Sequence, residues 1–422
     1  MGIGSAWAVS VTVAVTAVLV LVEVPAATWL STGTLSLVAG AGALALMAVA
    51  ALLSARLRWI EAPFGGLDRM YRVHKWLGVW ALVLASLHML FKPAGPGWEM
   101  AAILSLPPPW TRFVRQLSYV GLVSILVLAL NRNIRYSVWR WWHKLSGPLF
   151  AVAVLHWLSI KAPVPLASPA GVWLAALSAA GLAGALYRLL GYPVLAPHAI
   201  CRVLEVQSGP SAVRLRLQPE GRALDFVPGQ FGFLSVQADG LREPHPFTFA
   251  SAPRGQGGVE FVVRTLGDYT RRLAARVRAG MTAKVYGPYG CFLRPAGAGR
   301  EAWIAGGVGI APFLAWLDDP SGRPLEGVTL FYFHTPGRDF PSADEVGALA
   351  RSRGAQFVAI ADGPGSAGFR QHFHALARQA DGPPGLSVSF CGPPGLLGTV
   401  RAAMQGEGVP GRNLQHELCE FR

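Results

Sequence analysis

The chain has 422 residues, of which 52% are hydrophobic and 14% charged, and a formal net charge of +14. It is too apolar for an ordinary soluble protein of this length, which could hold two or three domains. The positive charge collects in short loops beside apolar runs, which excludes a nucleic-acid function and fits charges that set membrane topology. Residues 1–190 carry 14 Lys+Arg and 4 Asp+Glu, and the remainder carries 23 and 19. The first half therefore reads as membrane material and the second as globular protein. The cysteines, Cys201, Cys291, Cys391 and Cys419, all fall in the second half without CxxC spacing. That suits a reducing compartment and argues against iron–sulfur or zinc sites. There is no EF-hand loop, so calcium gating is not expected.

Six stretches, near residues 5–26, 34–55, 72–91, 115–131, 139–160 and 169–190, are long and apolar enough to cross a hydrocarbon core, which takes about 20 helical residues. The first has no basic segment before it, so it reads as a retained span rather than a cleaved signal. Arg56, Arg58, Arg69, Arg72 and Lys75 edge the loop between spans two and three, and Arg132, Arg135, Arg140 and Lys144 that between spans four and five. The opposite side holds Lys92, Arg112, Arg115 and Lys161. The positive-inside rule puts both termini in the cytoplasm and makes spans three and five parallel.

Four of the ten histidines lie inside spans: His74 and His88 in the third, His143 and His156 in the fifth. Ionisable groups within a bilayer are costly and usually functional, and imidazole is a standard axial ligand of haem iron. His74 and His88, 14 residues apart, fall within about 40° of one helix face and about 21 Å apart along it. His74 can then face His143, and His88 can face His156, with one iron between each pair. His143 and His156 are 13 residues apart, which on a regular helix turns them about 140° from each other. Gly147-Pro148 between them can change the winding locally. The plainer reading of any one of these histidines is a cap or packing residue.

Short alternating segments such as Ala212–Leu217 and Gly258–Arg264 predict an antiparallel β-barrel from about residue 198 to 296. Beyond it, the apolar strands Ala302–Ala305, Gly327–Phe333, Gln356–Ala361 and Leu386–Phe390 alternate with helical patterns, predicting a parallel α/β domain. Phe226-Val227-Pro228-Gly229-Gln230-Phe231 opens the barrel, followed by His245-Pro246-Phe247-Thr248, by Phe249-Ala250-Ser251 and by Arg264-Thr265-Leu266-Gly267-Asp268-Tyr269-Thr270. Ala305-Gly306-Gly307-Val308-Gly309-Ile310-Ala311-Pro312 then joins a strand to a helix, where glycines let phosphate approach backbone amides. Cys391-Gly392-Pro393-Pro394 follows the last strand, and the chain closes on Glu420-Phe421-Arg422.

The paired histidines and these motifs, in this order, resemble the ferric reductase and NADPH oxidase transmembrane superfamily, over nearly the whole chain. Its members hold two haems between helices three and five with 14- and 13-residue histidine spacings. The resemblance implies a multi-domain membrane protein. A six-helix haem-binding transmembrane bundle (1–195) would precede a ferredoxin-reductase-like FAD β-barrel (196–297) and a Rossmann-like α/β NAD(P)H domain (298–422). His74, His88, His143 and His156 would bind two b-type haems; Phe150 or Trp80 could shorten the electron path between them, against the plainer reading of both as simple packing. His245, Pro246, Phe247, Thr248 and Ser251 would line the flavin, and Arg264, Gly267, Tyr269 and Thr270 its pyrophosphate. Gly306, Gly307, Gly309, Ile310, Pro312, Gly392 and Pro393 would receive the nicotinamide nucleotide. Cys391 would sit near the hydride path, against the alternative of a buried structural thiol. Phe421 would stack on the flavin, against the alternative of a frayed tail. Arg338 favours NADPH through a 2′-phosphate, while Asp339 beside it suits the free hydroxyl of NADH.

The expected activity is electron transfer from cytoplasmic NADPH through FAD and two haems to an acceptor across a bacterial inner or plasma membrane. Dioxygen giving superoxide is the first choice of acceptor, and a ferric or cupric chelate the alternative. Lys92, Arg112 and Arg115 could attract an anionic chelate, or anchor haem propionates or headgroups. A haem-binding subunit without catalysis and a tethered flavin reductase are the competing classes.

Overall fold

The structure, a computed structural model, describes residues 2–131, 133–253, 257–297, 299–380 and 385–417. It divides into two compact units, Met1–Leu195 and Ala196–Arg422.

The first unit is helical: α1 (Ser5–Leu21), α2 (Thr32–Leu53), a short α3 (Arg58–Glu61), α4 (Leu67–Leu90), α5 (Pro108–Leu130), α6 (Tyr136–His143), α7 (Ser146–Ser159), α8 (Pro169–Leu186) and, after a π-helical turn at Tyr187–Gly191, α9 (Tyr192–Leu195). Ser31 caps α2 by accepting the Thr34 N–H at 3.1 Å, and Ser168 caps α8 by accepting that of Gly171 at 3.2 Å. Prolines open α5, where a missing N–H leaves nothing unbonded. Among the described residues, four helices are long and apolar enough to cross a membrane: Thr32–Leu53, Leu67–Leu90, Pro108–Leu130 and the continuous run Pro169–Leu195. The predicted first span is a helix of 17 residues. The predicted fifth is two helices, α6 and α7, broken at Lys144–Leu145. Pro148 lies four residues past Lys144, where its ring collides with that residue's carbonyl and it has no N–H to give.

Helix α2 is the centre of this unit, packing against α1, α4 and α8, while α5 packs on α7. Its buried face is built of small residues (Gly33, Ser36, Ala39, Gly42, Ala43), which lets neighbouring helices approach closely. Val120 and Val127 on α5 stay exposed, as a lipid-facing surface requires.

In the second unit, β1 (His198–Ser208), β2 (Ala212–Pro219), β3 (Phe231–Val236), β4 (His245–Thr248), β5 (Val259–Arg264) and β6 (Thr282–Tyr289) pair antiparallel in the order β4-β3-β6-β1-β2-β5, with α10 (Asp268–Arg276) between β5 and β6. A bridge between Phe249 and Phe261 joins the two edge strands and closes the barrel. Val213, Leu215, Leu234, Phe249, Phe261 and Val285 fill it.

The rest of the unit is a parallel sheet of β7 (Arg300–Gly306), β8 (Val328–Phe333), β9 (Gln356–Ile360), β10 (Leu386–Cys391) and β11 (Leu414–His416), ordered β11-β10-β7-β8-β9. Helices α11 (Ala311–Asp318) and α12 (Ala343–Ser352) pack on one face through Phe313 and Val346 against Trp303 and Tyr332. Helices α13 (Ala367–Gln379) and α14 (Pro394–Gly406) pack on the other through Phe369, Phe373 and Val400 against Ile304 and Phe331. With both faces covered, the strands read as continuous apolar runs. The four predicted strands sit where expected to within two residues, and the short β11 adds an edge the pattern did not indicate.

Candidate functional site

In the first unit the histidines come together as two pairs. The rings of His74 and His143 lie 6.0 Å apart, centroid to centroid, at 79°. Metal–imidazole bonds are about 2 Å long, so two rings at this spacing could hold one metal between them. His88, one turn from the far end of α4, shares its end of the bundle with His156 and Arg115, near enough to interact electrostatically. The break at Lys144–Leu145 brings His143 to face His74 despite the 13-residue spacing. Backbone packing between α4 and α7 is slight. Among the described residues no cluster of three or more His, Cys, Asp or Glu could hold a bare metal ion. A two-imidazole site suits a metal whose remaining ligands come from a macrocycle.

The tautomers agree with that use. His74 Nδ1 lies 2.8 Å from the Ala50 carbonyl and His88 Nδ1 lies 2.9 Å from that of Ser36. A carbonyl only accepts, so each Nδ1 carries the proton and each Nε2 lone pair is left for a metal. Ala50 and Ser36 are 14 residues apart on α2, matching the ligands on the antiparallel α4. A mid-helix carbonyl has a second lone pair to offer when the side chain four residues on is small, and those residues are Ser54 and Gly40. A Cβ on Gly40 would lie 2.7 Å from His88 Nδ1. His143 and His156 are held differently: Nδ1 of each is buried without a hydrogen bond, and His143 stacks on Trp139 at 5.2 Å. The residues present fit haem. Of the two aromatics expected between the irons, Phe150 is buried among Ala48 and Leu174, whereas Trp80 is 45% exposed.

In the barrel, β4 carries His245-Pro246-Phe247-Thr248 on the edge where proline's missing N–H costs no ladder bond, paired with β3 from Leu234↔His245 to Phe231↔Thr248. The His245 ring stacks on Tyr269 at 3.7 Å, which brings this motif and the 264–270 segment to one place. Tyr269 donates to the Leu241 carbonyl at 3.1 Å, and burial, helped by Glu243, raises its phenol above the ordinary range. Thr270 Oγ1 accepts the N–H groups of Leu266 and Gly267, both at 3.0 Å. The amides of residues 268–270 are the ones that open α10 and remain for an anion. Arg264 is exposed at the end of β5. Ser251 is not brought to this cluster: fully buried, its hydroxyl accepts the Glu260 N–H at 3.1 Å and latches the barrel closure. Gly229 has φ +99°, and a Cβ there would lie 2.0 Å from the Phe292 carbonyl, so only glycine fits this turn.

In the parallel sheet, the glycine turn and the last strand's motif abut. Cys391 is in register with Ala305, a Cβ on Gly309 would lie 2.2 Å from the Cys391 carbonyl, and one on Gly306 2.7 Å from Pro393. Gly307 has φ +55° and opens a 3₁₀ turn through Ile310 that leads, with Pro312 in the first turn, into α11. Gly392 packs on Gly306. Cys391 is 1% exposed. Cys201 is also buried, and its thiol is pushed up to about 12, chiefly by burial. Arg338 is exposed in the turn after β8. Asp339 Oδ2 accepts the Ala343 N–H at 2.8 Å and lies 3.3 Å from His334 Nδ1. Phe421, with Glu420 and Arg422, lies outside the described residues.

Sequence reasoning missed the α2 residues Ser36, Gly40 and Ala50 because small apolar-helix residues carry no chemical signature; only the 14-residue echo could have pointed to them. It also missed Glu417, whose carboxylate accepts the Thr248 hydroxyl at 3.4 Å and ties the strand after α14 to the barrel motif.

Residues 39–154 match the family model described as "Ferric reductase like transmembrane component", and residues 202–293 match "Oxidoreductase FAD-binding domain". The chain is similar to the 2-halobenzoate 1,2-dioxygenase electron transfer component of Burkholderia cepacia, 27% identical over 51% of this chain and 66% of that one. It is similar to methane monooxygenase component C of Methylosinus trichosporium, 29% identical over 38% and 46%. A third relative is the ferredoxin–NAD(+) reductase component of the alkene monooxygenase system of Xanthobacter autotrophicus, 31% identical over 38% and 50%. The chain thus spans 46 to 66% of the length of these curated relatives. Among solved structures, the FAD/NAD binding domain of a nitric oxide dioxygenase from Vibrio cholerae aligns with 22% identity over 52% of this chain and 97% of that one, at a TM-score of 0.45. A ferric-reductase-like membrane component joined to an FAD-binding domain is the NADPH oxidase/ferric-reductase-like architecture, that of a transmembrane flavoprotein oxidoreductase.

Proposed function

We propose that this protein moves electrons from cytoplasmic NADPH through FAD and two b-type haems to an acceptor on the far side of a bacterial inner or plasma membrane. The observation that carries the reading is the double histidine pair, with His74 and His88 oriented by α2 carbonyls at the same 14-residue spacing. When bound, the flavin takes hydride from the reduced nicotinamide and the haems relay single electrons across the bilayer. The chain's own residues do the rest. His74 with His143, and His88 with His156, would hold the two haems at two depths, and with two protein ligands to each iron, electrons would leave for the acceptor by outer-sphere transfer. His245, Thr248 and Tyr269 position the flavin, and the amides opening α10, with Arg264, receive its pyrophosphate. Gly306, Gly307 and Gly309 against Cys391-Gly392-Pro393 give the nucleotide close approach to the sheet's carboxyl edge. The six-span bundle, the cytoplasmic termini and the Rossmann-like identity of residues 298–422 belong to the same reading.

A reduced-minus-oxidised spectrum of the purified, FAD-supplemented protein tests it. NADPH should raise b-type bands, and haem that stays oxidised while flavin is reduced would reject the proposal. The acceptor we propose is dioxygen, giving superoxide. A ferric chelate is the second reading, favoured by the cationic Arg115 beside His156. Superoxide formation against chelate reduction, measured on one preparation, separates them.

A further inference from the structure

We propose that Ser36 is a positioning residue for His88 and sets the properties of one haem only; this rests on the paired-histidine reading above. Ser36 is fully buried in α2. Its carbonyl accepts the His88 Nδ1–H at 2.9 Å and its Oγ lies 3.2 Å from the same nitrogen, so the ring N–H has two acceptors from one residue. The hydroxyl's own proton goes to the end of α4, toward the Phe91 carbonyl at 2.8 Å or that of His88 at 3.0 Å. Carbonyls in a helix's last turn have no intrahelical donor, so this hydroxyl supplies one. One side chain therefore steadies both the imidazole and the helix end that carries it. Gly40, one turn along α2, leaves the space for the ring. Among the described residues, His74 Nδ1 has only the Ala50 carbonyl, at 2.8 Å, and Ala50 carries no hydroxyl in the equivalent place.

The two α4 ligands thus differ by one hydroxyl. Acceptors on Nδ1–H make the opposite ring nitrogen a stronger donor to iron, which tightens binding and favours the oxidised metal. Removing the Ser36 hydroxyl should weaken retention of the haem on His88 by about tenfold, the lower end of the range for such outer-shell losses. It should also raise the potential of that haem while the His74 haem is unchanged.

The test uses the full-length protein in detergent as wild type, Ser36→Ala, Ser36→Thr and His88→Ala. It measures haem per chain, the rate of haem loss to excess apomyoglobin, the low-spin ferric EPR spectrum and a potentiometric titration. His88→Ala should hold one haem in place of two. Ser36→Ala should hold two, lose one of them about ten times faster, and shift one EPR signal and one titration component; Ser36→Thr should restore both. Ser36→Cys, close in volume, gives the same one-component shift at smaller size should the alanine variant fail to accumulate. Two haems retained by His88→Ala would overturn the paired-histidine reading itself. One haem lost by His88→Ala, with Ser36→Ala and Ser36→Cys indistinguishable from wild type, would overturn the role of Ser36 alone. Equal shifts in both components would overturn it too, because they indicate general loosening.

Discussion

On the NADPH reading proposed above, Arg338→Ala should leave a protein that barely distinguishes the two coenzymes. The turn around Arg338 does not depend on its side chain. Its N–H donates to the Thr335 carbonyl at 3.0 Å, its carbonyl accepts the Ser211 hydroxyl, and among the described residues nothing hydrogen-bonds its exposed guanidinium. Asp339, the residue that could instead have bound a free ribose hydroxyl, is 11% exposed, and its Oδ2 accepts the Ala343 N–H and lies 3.3 Å from His334 Nδ1. One hydrogen bond to a charged partner contributes about 1.5–3 kcal/mol, so losing one contact to a 2′-phosphate lowers kcat/KM for NADPH by about 10- to 150-fold. The value for NADH should stay within about twofold, since no phosphate is there to lose. Steady-state kinetics of the full-length, FAD-saturated protein with a soluble acceptor measures both. An equal fall with both coenzymes, or no fall with either, would refute the assignment of the free cation to the phosphate.

Gly309→Ala places a Cβ 2.2 Å from the Cys391 carbonyl and should force the glycine turn off the last strand. Flavin content should be kept while NADPH-driven flavin reduction, followed by stopped flow, falls by about 100-fold, the scale of a small misplacement of reacting groups. Gly40→Ala puts a methyl 2.7 Å from His88 Nδ1 where ordinary contact begins at 3.4 Å, so the ring must retreat; haem analysis should find about one haem per chain rather than two. Arg294→Leu strips the buried Glu301 of a guanidinium that bonds it at 2.9 and 3.1 Å, leaving Trp303 Nε1 and the more distant Arg323. That should destabilise the protein by about 3 kcal/mol in thermal flavin-release assays, and adding Glu301→Leu should recover most of it.

The membrane half was legible where polarity and period coincide. Histidines in apolar helices stand out. The sequence also located the irregularity in the fifth span at Gly147-Pro148, but the helix parts one turn earlier, at Lys144–Leu145, because proline acts on the carbonyl four residues before it. The barrel and sheet strands were readable from turn residues and apolar runs. The three-residue β11 was not, since Leu414-Gln415-His416 has too few positions for any period to show. At the sites, motif residues proved unequal for reasons no motif states. Ser251 and Asp339 each accept a main-chain N–H of the fold, while Ser36 and Ala50 orient His88 and His74 through carbonyls that every residue possesses. Main-chain chemistry leaves no residue-type signal.

The matched intervals on α2 and α4 bind the two helices into a single gauge. One residue added to α2 anywhere between positions 36 and 50 would swing one supporting carbonyl about 100° away from its imidazole while leaving the other in place. The depth of one imidazole relative to the other is therefore not free to drift by small steps during evolution or redesign. It can change only if both helices gain or lose the same length together, so the interval is copied twice in the sequence and must be edited twice.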